Sequence, residues 1–314
     1  MKIIFFGSDS FAILPLQAIM QAGYDIPCIV TQPDKAKGRG LALSHTPVKE
    51  FGLRHNFKIY QPPDVNAGDS IDFLRVFKAD LFAVIAYGQM LSEKLLDAPG
   101  IMPINLHASL LPRYRGAAPI NLAIINGEKQ TGVSIIKIIK KMDAGPLLAQ
   151  REVRIEADDT AVTLGERLSA AGAELLISVI RDIASGNYHL NPQEEKKATF
   201  AFKLKKEDGL ISWDSPAGDI ANLVRGCFEW PGAYTYYKGR SMKIFKARPD
   251  FSALATRGSV AGEVLKVAKE AIAVATGKGS LLIEELQMEG RKTMSAGDFV
   301  NGYKIRPGEI MGKK

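Results

Sequence analysis

The sequence has only two cysteines, Cys28 and Cys227, and only four histidines. Two cysteines this far apart provide no disulfide framework and lack the spacing of a zinc site. No apolar run approaches the ~20 residues that a membrane helix needs, and the first residues are interrupted too soon to form a signal peptide. We therefore expect a protein without a structural metal, in the reducing cytoplasm and away from membranes.

Glycine patterns that bind nucleotides are also missing. Gly7-Ser8-Asp9 follows a first apolar run, but it does not continue into Gly-x-Gly-x-x-Gly, and no Walker loop is present. A bound NAD is therefore not expected, even within a Rossmann-like fold.

Basic residues outnumber acidic ones mainly in the last third of the chain. Residues 1–200 hold 22 Lys and Arg against 21 Asp and Glu, whereas residues 201–314 hold 19 against 13. A nearly neutral large part with a basic small part indicates catalysis in the first and a polyanion bound by the second. Surplus lysines that only increase solubility are the alternative.

Short apolar runs alternate with amphipathic stretches in the first half of the sequence. This alternation predicts a Rossmann-like, doubly wound α/β fold with a mostly parallel sheet. The predicted strands are 2–6, 26–31, 57–60, 80–86, 101–107 and 131–138. The predicted helices between them are 10–22, 47–55, 68–78, 90–97 and 117–126.

Two domains are expected at a length of 314 residues. A helical pattern from 158 to 184 ends at a glycine, and the polar segment after it has no periodicity, which is typical of a linker. Short apolar runs divided by glycine follow and indicate a small β-barrel. We predict a catalytic domain at 1–187, a linker at 188–205 and a C-terminal domain at 206–314.

The candidate site lies at the end of the fifth predicted strand. Asn105 and His107 share a face because alternate residues of a strand do so, and ligands of such sheets bind beyond the carboxyl ends of the strands. With a carboxylate such as Asp143 they could polarise a carbonyl, stabilise an oxyanion and move a proton. Taken singly, His107 could be a core histidine, Asn105 a strand-end cap and Asp143 a turn residue.

The pattern Asn105-x-His107-x-Ser109-Leu110-Leu111-Pro112, followed by Asp143-x-Gly145, resembles the 10-formyltetrahydrofolate-dependent formyltransferase family. The resemblance runs from the first strand to about residue 247 and implies an OB-like C-terminal domain. Supporting segments are Thr31 to Asp34, Gly38 to Gly40, Thr46 to Lys49, Tyr87-Gly88, Gly116 to Ile120, Thr131 to Val133 and Ile211 to Trp213.

The resemblance implies direct transfer of a formyl group from 10-formyltetrahydrofolate to an amine. Asn105 and protonated His107 would hold the oxyanion, and Asp143 would orient His107 and help to relay a proton. Further residues are implied to bind the folate, namely Ser109, Leu110, Leu111 and Pro112 in a loop made rigid by proline, and Tyr87, Gly88, Met90 and Leu91 in the segment that reads the pterin ring. Arg113 and Arg115 would anchor the loop or contact the acidic tail of the folate.

The resemblance also implies the acceptor, the methionine amine of an initiator methionyl-tRNA. We expect the protein to be a monomer. Basic residues would contact the RNA, namely Lys35, Lys37 and Arg39 in the loop 33–47, and Lys203, Lys205 and Lys206 near the second domain. Each could instead be a solvated surface residue. The alternatives are a sugar-nucleotide amine as acceptor, a glycinamide ribonucleotide formyltransferase, which would leave the second domain unexplained, and a catalytically silent RNA-binding protein.

Overall fold

A computed structural model describes residues 1–37, 42–252 and 259–312, with only the backbone described at 36, 37 and 42. Among these residues, no helix combines the length and hydropathy needed to cross a bilayer. The chain folds into two units, the first made of 1–119, 130–154 and 165–201, and the second of 120–129, 155–164 and 202–314. The predicted domain limits remain a prediction; residues 188–201, the start of the predicted linker, belong to the first unit.

Eleven strands and six α-helices are described up to residue 201. The strands are β1 (Ile3–Gly7), β2 (Ile29–Val30), β3 (Lys35–Lys37), β4 (Ala42–Ser44), β5 (Ile59–Tyr60), β6 (Leu81–Ile85), β7 (Met102–His107), β8 (Arg115–Gly116), β9 (Gln130–Lys137), β10 (Leu147–Arg154) and β11 (Phe200–Ala201). The helices are α1 (Ile13–Gln21), α2 (Pro47–Arg54), α3 (Gly68–Arg75), α4 (Glu93–Leu96), α5 (Pro119–Ile125) and α6 (Ala161–Ser185).

Seven of these strands form one sheet in the order β10-β9-β7-β6-β1-β2-β5. The strands from β7 to β5 in this order are parallel, whereas β9 runs antiparallel to β7, and β10 antiparallel to β9. β1 and β6 are buried on both faces, as the continuous apolar runs require. The predicted Rossmann-like, mostly parallel sheet is confirmed.

The second unit contains an antiparallel sheet. Its strands are β12 (Ala233–Tyr237), β13 (Arg240–Asp250), β14 (Val264–Val267), β15 (Ile272–Ala275), β16 (Ser280–Met288) and β17 (Met294–Ser295), with helices α7 (Ala217–Gly226) and α8 (Ala296–Tyr303). The order is β12-β13-β16-β15-β14, and β17 pairs with β16. The predicted small β-domain is confirmed. α8 was not predicted; its Ser295 caps it by accepting a hydrogen bond from the backbone N–H of Asp298.

The core of the second unit is formed by buried residues of this sheet, α7 and α8. Trp213 is buried there, and its indole Nε1 donates to Thr235 Oγ1 at 2.9 Å. A buried indole N–H needs such a partner, so this bond is part of the packing of the unit.

Candidate active site

The three residues predicted to carry the chemistry, Asn105, His107 and Asp143, meet at the carboxyl end of β7. Asn105 Nδ2 donates to Asp143 Oδ1 at 3.4 Å, and His107 Nδ1 lies 3.7 Å from Asp143 Oδ2. The side chains of His107 and Asp143 are 7% and 14% exposed. The fold therefore brings an amide, an imidazole and a carboxylate to one nearly buried point, where polar interactions are stronger than in water.

The imidazole of His107 is held on its other side by the backbone. His107 Nε2 lies 2.9 Å from the carbonyl oxygen of Tyr114. A carbonyl can only accept, so Nε2 carries a hydrogen and Nδ1 is the nitrogen turned towards Asp143. Tyr114 has a left-handed backbone, with φ of 58°, and its own N–H donates to Thr199 Oγ1 at 2.8 Å.

Asp143 lies in a tight turn that requires glycine two residues later. Its φ is 50°, and its Oδ2 accepts a hydrogen bond from the backbone N–H of Gly116 at 2.8 Å. A Cβ added at Gly145 would lie 1.7 Å from the carbonyl oxygen of Lys137. The glycine of the Asp-x-Gly pattern is therefore needed because the backbone of Gly145 lies close to that of Lys137. This close approach fixes the turn and with it the direction of the Asp143 carboxylate.

The loop Ser109–Pro112 is held by the hydroxyl groups of two buried serines, Ser109 and Ser134. Ser109 is fully buried, its hydroxyl donates to the carbonyl oxygen of Arg113, and its own carbonyl accepts from Ser134 Oγ, both at 2.6 Å. Ser134 Oγ also accepts from Leu111 N at 3.0 Å, and the Leu111–Pro112 peptide is cis. The hydroxyl of Ser109 therefore shapes the loop, while Leu110 and Pro112 are half-buried.

The segment 86–91 combines unusual backbone with unsatisfied polar groups. Ala86 and Gly88 have φ of 46° and 92°. Among the described residues, the buried Tyr87 Oη and Gln32 Nε2 have no hydrogen-bond partner, and burial raises the pKa of the Tyr87 phenol. A Cβ added at Gly88 would lie 3.8 Å from Gln32 Nε2. Met90 is exposed and Leu91 is buried.

Four supporting residues were missed or left open by the sequence analysis. Arg115, predicted as an anchor or a ligand contact, is 1% exposed and binds Gln193 and Glu195. Gln193 in turn donates to the carbonyls of Asp143 and Gly145. Ser134 and Gln150 hold the Ser109–Pro112 loop. No local pattern marks Gln193, Ser134 or Gln150, because their partners are distant in sequence.

The predicted RNA-binding lysines are only partly described. Lys35, Lys203, Lys205 and Lys206 are exposed, whereas Arg39 and the side chain of Lys37 lie outside the described residues. Beside Lys35, Asp34 binds Lys49 at 2.5 Å. The hydrogen bonds from Lys49 and Gln61 lower the pKa of Asp34 to about 2. In the described part of the chain, no group of three or more His, Cys, Asp and Glu residues could hold a metal ion.

Comparison with known proteins assigns the chain to a family. The Formyl transferase family matches residues 1–180, and its C-terminal domain matches residues 203–304. This chain belongs to the formyl transferase family. Over its full length the formyltransferase is 42% identical to the methionyl-tRNA formyltransferase of Citrifermentans bemidjiense, of which it covers 97%.

Solved structures share the fold of the formyltransferase at low sequence identity. HypX from Aquifex aeolicus in complex with tetrahydrofolic acid matches with a TM-score of 0.67 and 15% identity, over 100% of this chain and 51% of HypX. The sugar 3N-formyl transferase WlaRD matches with a TM-score of 0.66 and 19% identity, over 93% and 99% of the two chains. Likenesses at this identity show the fold and do not distinguish the acceptors.

Proposed function

We propose that this formyltransferase transfers a formyl group from 10-formyltetrahydrofolate to the amino group of initiator methionyl-tRNA. The observation that carries the chemistry is the meeting of Asn105, His107 and Asp143 at the end of β7. The acceptor is supported by the full-length identity of 42% to a methionyl-tRNA formyltransferase.

The segment 86–91 and the loop Ser109–Pro112 fit a reduced folate. Gln32 Nε2 is a buried donor without a partner in the described part of the chain, and it lies beside Gly88, where a side chain is absent. A flat heterocycle with polar edges would supply the missing acceptor. Leu110, Leu111 and Pro112, with Met90 and Leu91, offer apolar contacts, as small-molecule sites commonly do.

The residues of the site have separate tasks. When bound, 10-formyltetrahydrofolate supplies an activated formyl group for attack by an amine. Asn105 Nδ2 donates to the formyl oxygen as it gains negative charge, and the His107 imidazole stabilises the same charge. Asp143 keeps the ring oriented, accepts the proton that the amine loses and relays it to N10 of the folate, which leaves with that proton as its bond to the formyl carbon breaks. Tyr114 fixes the ring through its carbonyl, which leaves His107 Nδ1 for this exchange.

The RNA would be bound by basic side chains outside the chemical centre. Lys35 stands at the start of β3, and Lys37 and Arg39 follow it in sequence. Lys203, Lys205 and Lys206 lie in the second unit, in the part of the chain with most of the net positive charge. Lysine contacts to phosphate position the RNA without reading its sequence. The domains at 1–187 and 206–314, the monomeric state and the cytoplasmic location belong to this proposal.

The test is formyl transfer from 10-formyltetrahydrofolate to charged initiator Met-tRNA, with charged elongator Met-tRNA in parallel. Rapid transfer with strong preference for the initiator is expected. Transfer to a sugar-nucleotide amine and to neither tRNA would refute the proposed acceptor. Tight RNA binding without transfer to any amine would refute the proposed activity and indicate a silent RNA-binding protein.

A further inference from the structure

Gln193 lies next to the proposed catalytic turn, although it is 50 residues away from Asp143 in sequence. Its Nε2 donates to the carbonyl oxygen of Asp143 at 2.8 Å and to that of Gly145 at 2.7 Å. A primary amide has two hydrogens on its nitrogen. Both are therefore used on the backbone of the turn that carries Asp143.

The other end of the Gln193 amide is held by Arg115. Gln193 Oε1 accepts from Arg115 Nε at 3.1 Å and from Arg115 Nη2 at 2.8 Å. Both lone pairs of the oxygen are thus used, and the amide can stand in one orientation only. A flipped amide would place its oxygen against two carbonyls and its N–H₂ group against a guanidinium, and both contacts would be repulsive.

The guanidinium of Arg115 is itself fixed. It is 1% exposed, and Arg115 Nη1 pairs with Glu195 at 3.0 Å. Glu195 also pairs with Lys141, and both partners lower the pKa of its carboxyl group, Lys141 the more strongly. Of these three charges only that of Arg115 is buried, since Glu195 and Lys141 are exposed. Arg115 is the member whose position is tightly held, because loss of Glu195 would leave its buried charge without that partner.

The backbone next to Arg115 contacts the carboxylate of Asp143. Gly116, next to Arg115, donates its N–H to Asp143 Oδ2 at 2.8 Å. Asp143 is therefore held at its carboxylate by the backbone of β8 and at its main chain by Gln193.

We infer that Gln193 is a positioning residue that sets the placement of Asp143 against Asn105 and His107, an inference that rests on the proposed function. Gln193 does not contact either of those two residues in the described hydrogen bonds. Its effect is exerted through the turn. Catalysis is sensitive to such placement, since a shift of about 1 Å can cost ~10²-fold in rate.

Two variants separate the contacts of Gln193. Gln193→Glu keeps the shape and the acceptors for Arg115 but replaces both donors to the turn with an acceptor. Gln193→Met removes the donors and the acceptors without adding charge. A loss common to both variants is assigned to the donors. Gln287→Glu is the matched control, because Gln287 Nε2 donates to a backbone carbonyl, that of Arg291, in the second unit.

Turnover and hydrogen exchange are measured on the full chain. In both Gln193 variants we expect kcat to fall about tenfold or more, with KM for both substrates changed less than about twofold, and amide exchange at Ala144 to accelerate. Adding Gln193→Glu to Asp143→Ala should cost nothing further. Gln287→Glu should behave as the wild type.

Three results would overturn the inference. The first is a kcat within about twofold of wild type in both variants. The second is a loss from Gln193→Glu that persists in full on the Asp143→Ala background, which would place its effect away from Asp143. The third is unchanged exchange at Ala144. If the wild type itself transfers no formyl group, the proposed function fails, and the exchange measurement alone still decides whether Gln193 holds the turn.

Discussion

Ser134 is a buried hydroxyl whose removal should destabilise the catalytic unit. It lies in β9 and is fully buried. Its Oγ accepts from Leu111 N at 3.0 Å and from Gln150 Nε2 at 2.8 Å, and donates to the carbonyl oxygen of Ser109 at 2.6 Å. Ser134→Ala therefore deprives two buried backbone groups of this partner. Gln150 Nε2 keeps its bond to the carbonyl of Leu111 at 2.9 Å.

The expected cost follows from these two groups. A buried donor or acceptor left unsatisfied costs ~1–3 kcal/mol, so Ser134→Ala should lower the free energy of unfolding by about 2–4 kcal/mol once relaxation is allowed for. At ~2–4 °C per kcal/mol for a unit of this size, the Tm should fall by roughly 5–15 °C. Ser185→Ala is the matched control, since Ser185 is exposed and its hydroxyl donates to the carbonyl oxygen of Asp182 in the same helix. It should change stability by less than about 0.5 kcal/mol.

The assay for Ser134→Ala must follow the unfolding of the first unit, which contains Ser134. Both tryptophans, Trp213 and Trp230, lie in the second unit, so their fluorescence follows the environment of that unit. Chemical unfolding followed by far-ultraviolet circular dichroism includes the first unit, with fluorescence as an internal reference. A Ser134→Ala curve that superimposes on the wild type would refute the assignment of Ser134 as the holder of the Ser109–Pro112 loop.

Three further predictions concern other parts of the molecule. Gly145→Ala places a Cβ 1.7 Å from a backbone oxygen, so formyl transfer should be largely lost; kinetics close to wild type would contradict the tight turn. Thr235→Val leaves the indole N–H of Trp213 without its 2.9 Å partner and should lower the free energy of unfolding by ~1–3 kcal/mol, measured by tryptophan fluorescence. Asp34, whose pKa is held at about 2 by Lys49 and a further hydrogen bond, contributes stability above the ordinary carboxyl pKa of about 3.9 that is lost as the pH falls towards 2. Urea unfolding of wild type and Asp34→Asn should therefore differ at pH 7, with a difference that shrinks below about pH 4 and disappears as the pH falls through about 2. A difference independent of pH would contradict the ion pair.

Much of the fold could be predicted because the buried apolar residues of a strand or helix follow a regular pattern along the sequence. β1, β6 and β7 appear in the sequence as apolar runs, and each lies within about one residue of its predicted bounds. β10 was missed because this edge strand is only partly buried, with a burial pattern that includes exposed Gln150 and Arg151. The antiparallel direction of β9 was also not predicted, since strand direction depends on the connection and not on composition.

The candidate site was predictable to a similar extent. Asn105 and His107 are two residues apart on one strand, so the strand period places them together. Asp143 and the folate-binding residues came from the family resemblance. Gln193 could not be predicted, since its contacts to Asp143 and Arg115 join segments 50 and 78 residues apart. The roles of these residues remain predictions until variants are assayed.

The measurement that tests the central claim most directly is single-turnover formyl transfer by Asn105→Ala, His107→Ala and Asp143→Ala, with folate binding and unfolding followed in parallel. Loss of one donor to a developing oxyanion typically costs ~10²–10³ in rate, so each variant should stay folded, bind folate and lose most transfer. His189→Ala, which changes an exposed histidine, should transfer at the wild-type rate. Near-wild-type transfer by any of the three site variants would contradict the role assigned to that residue.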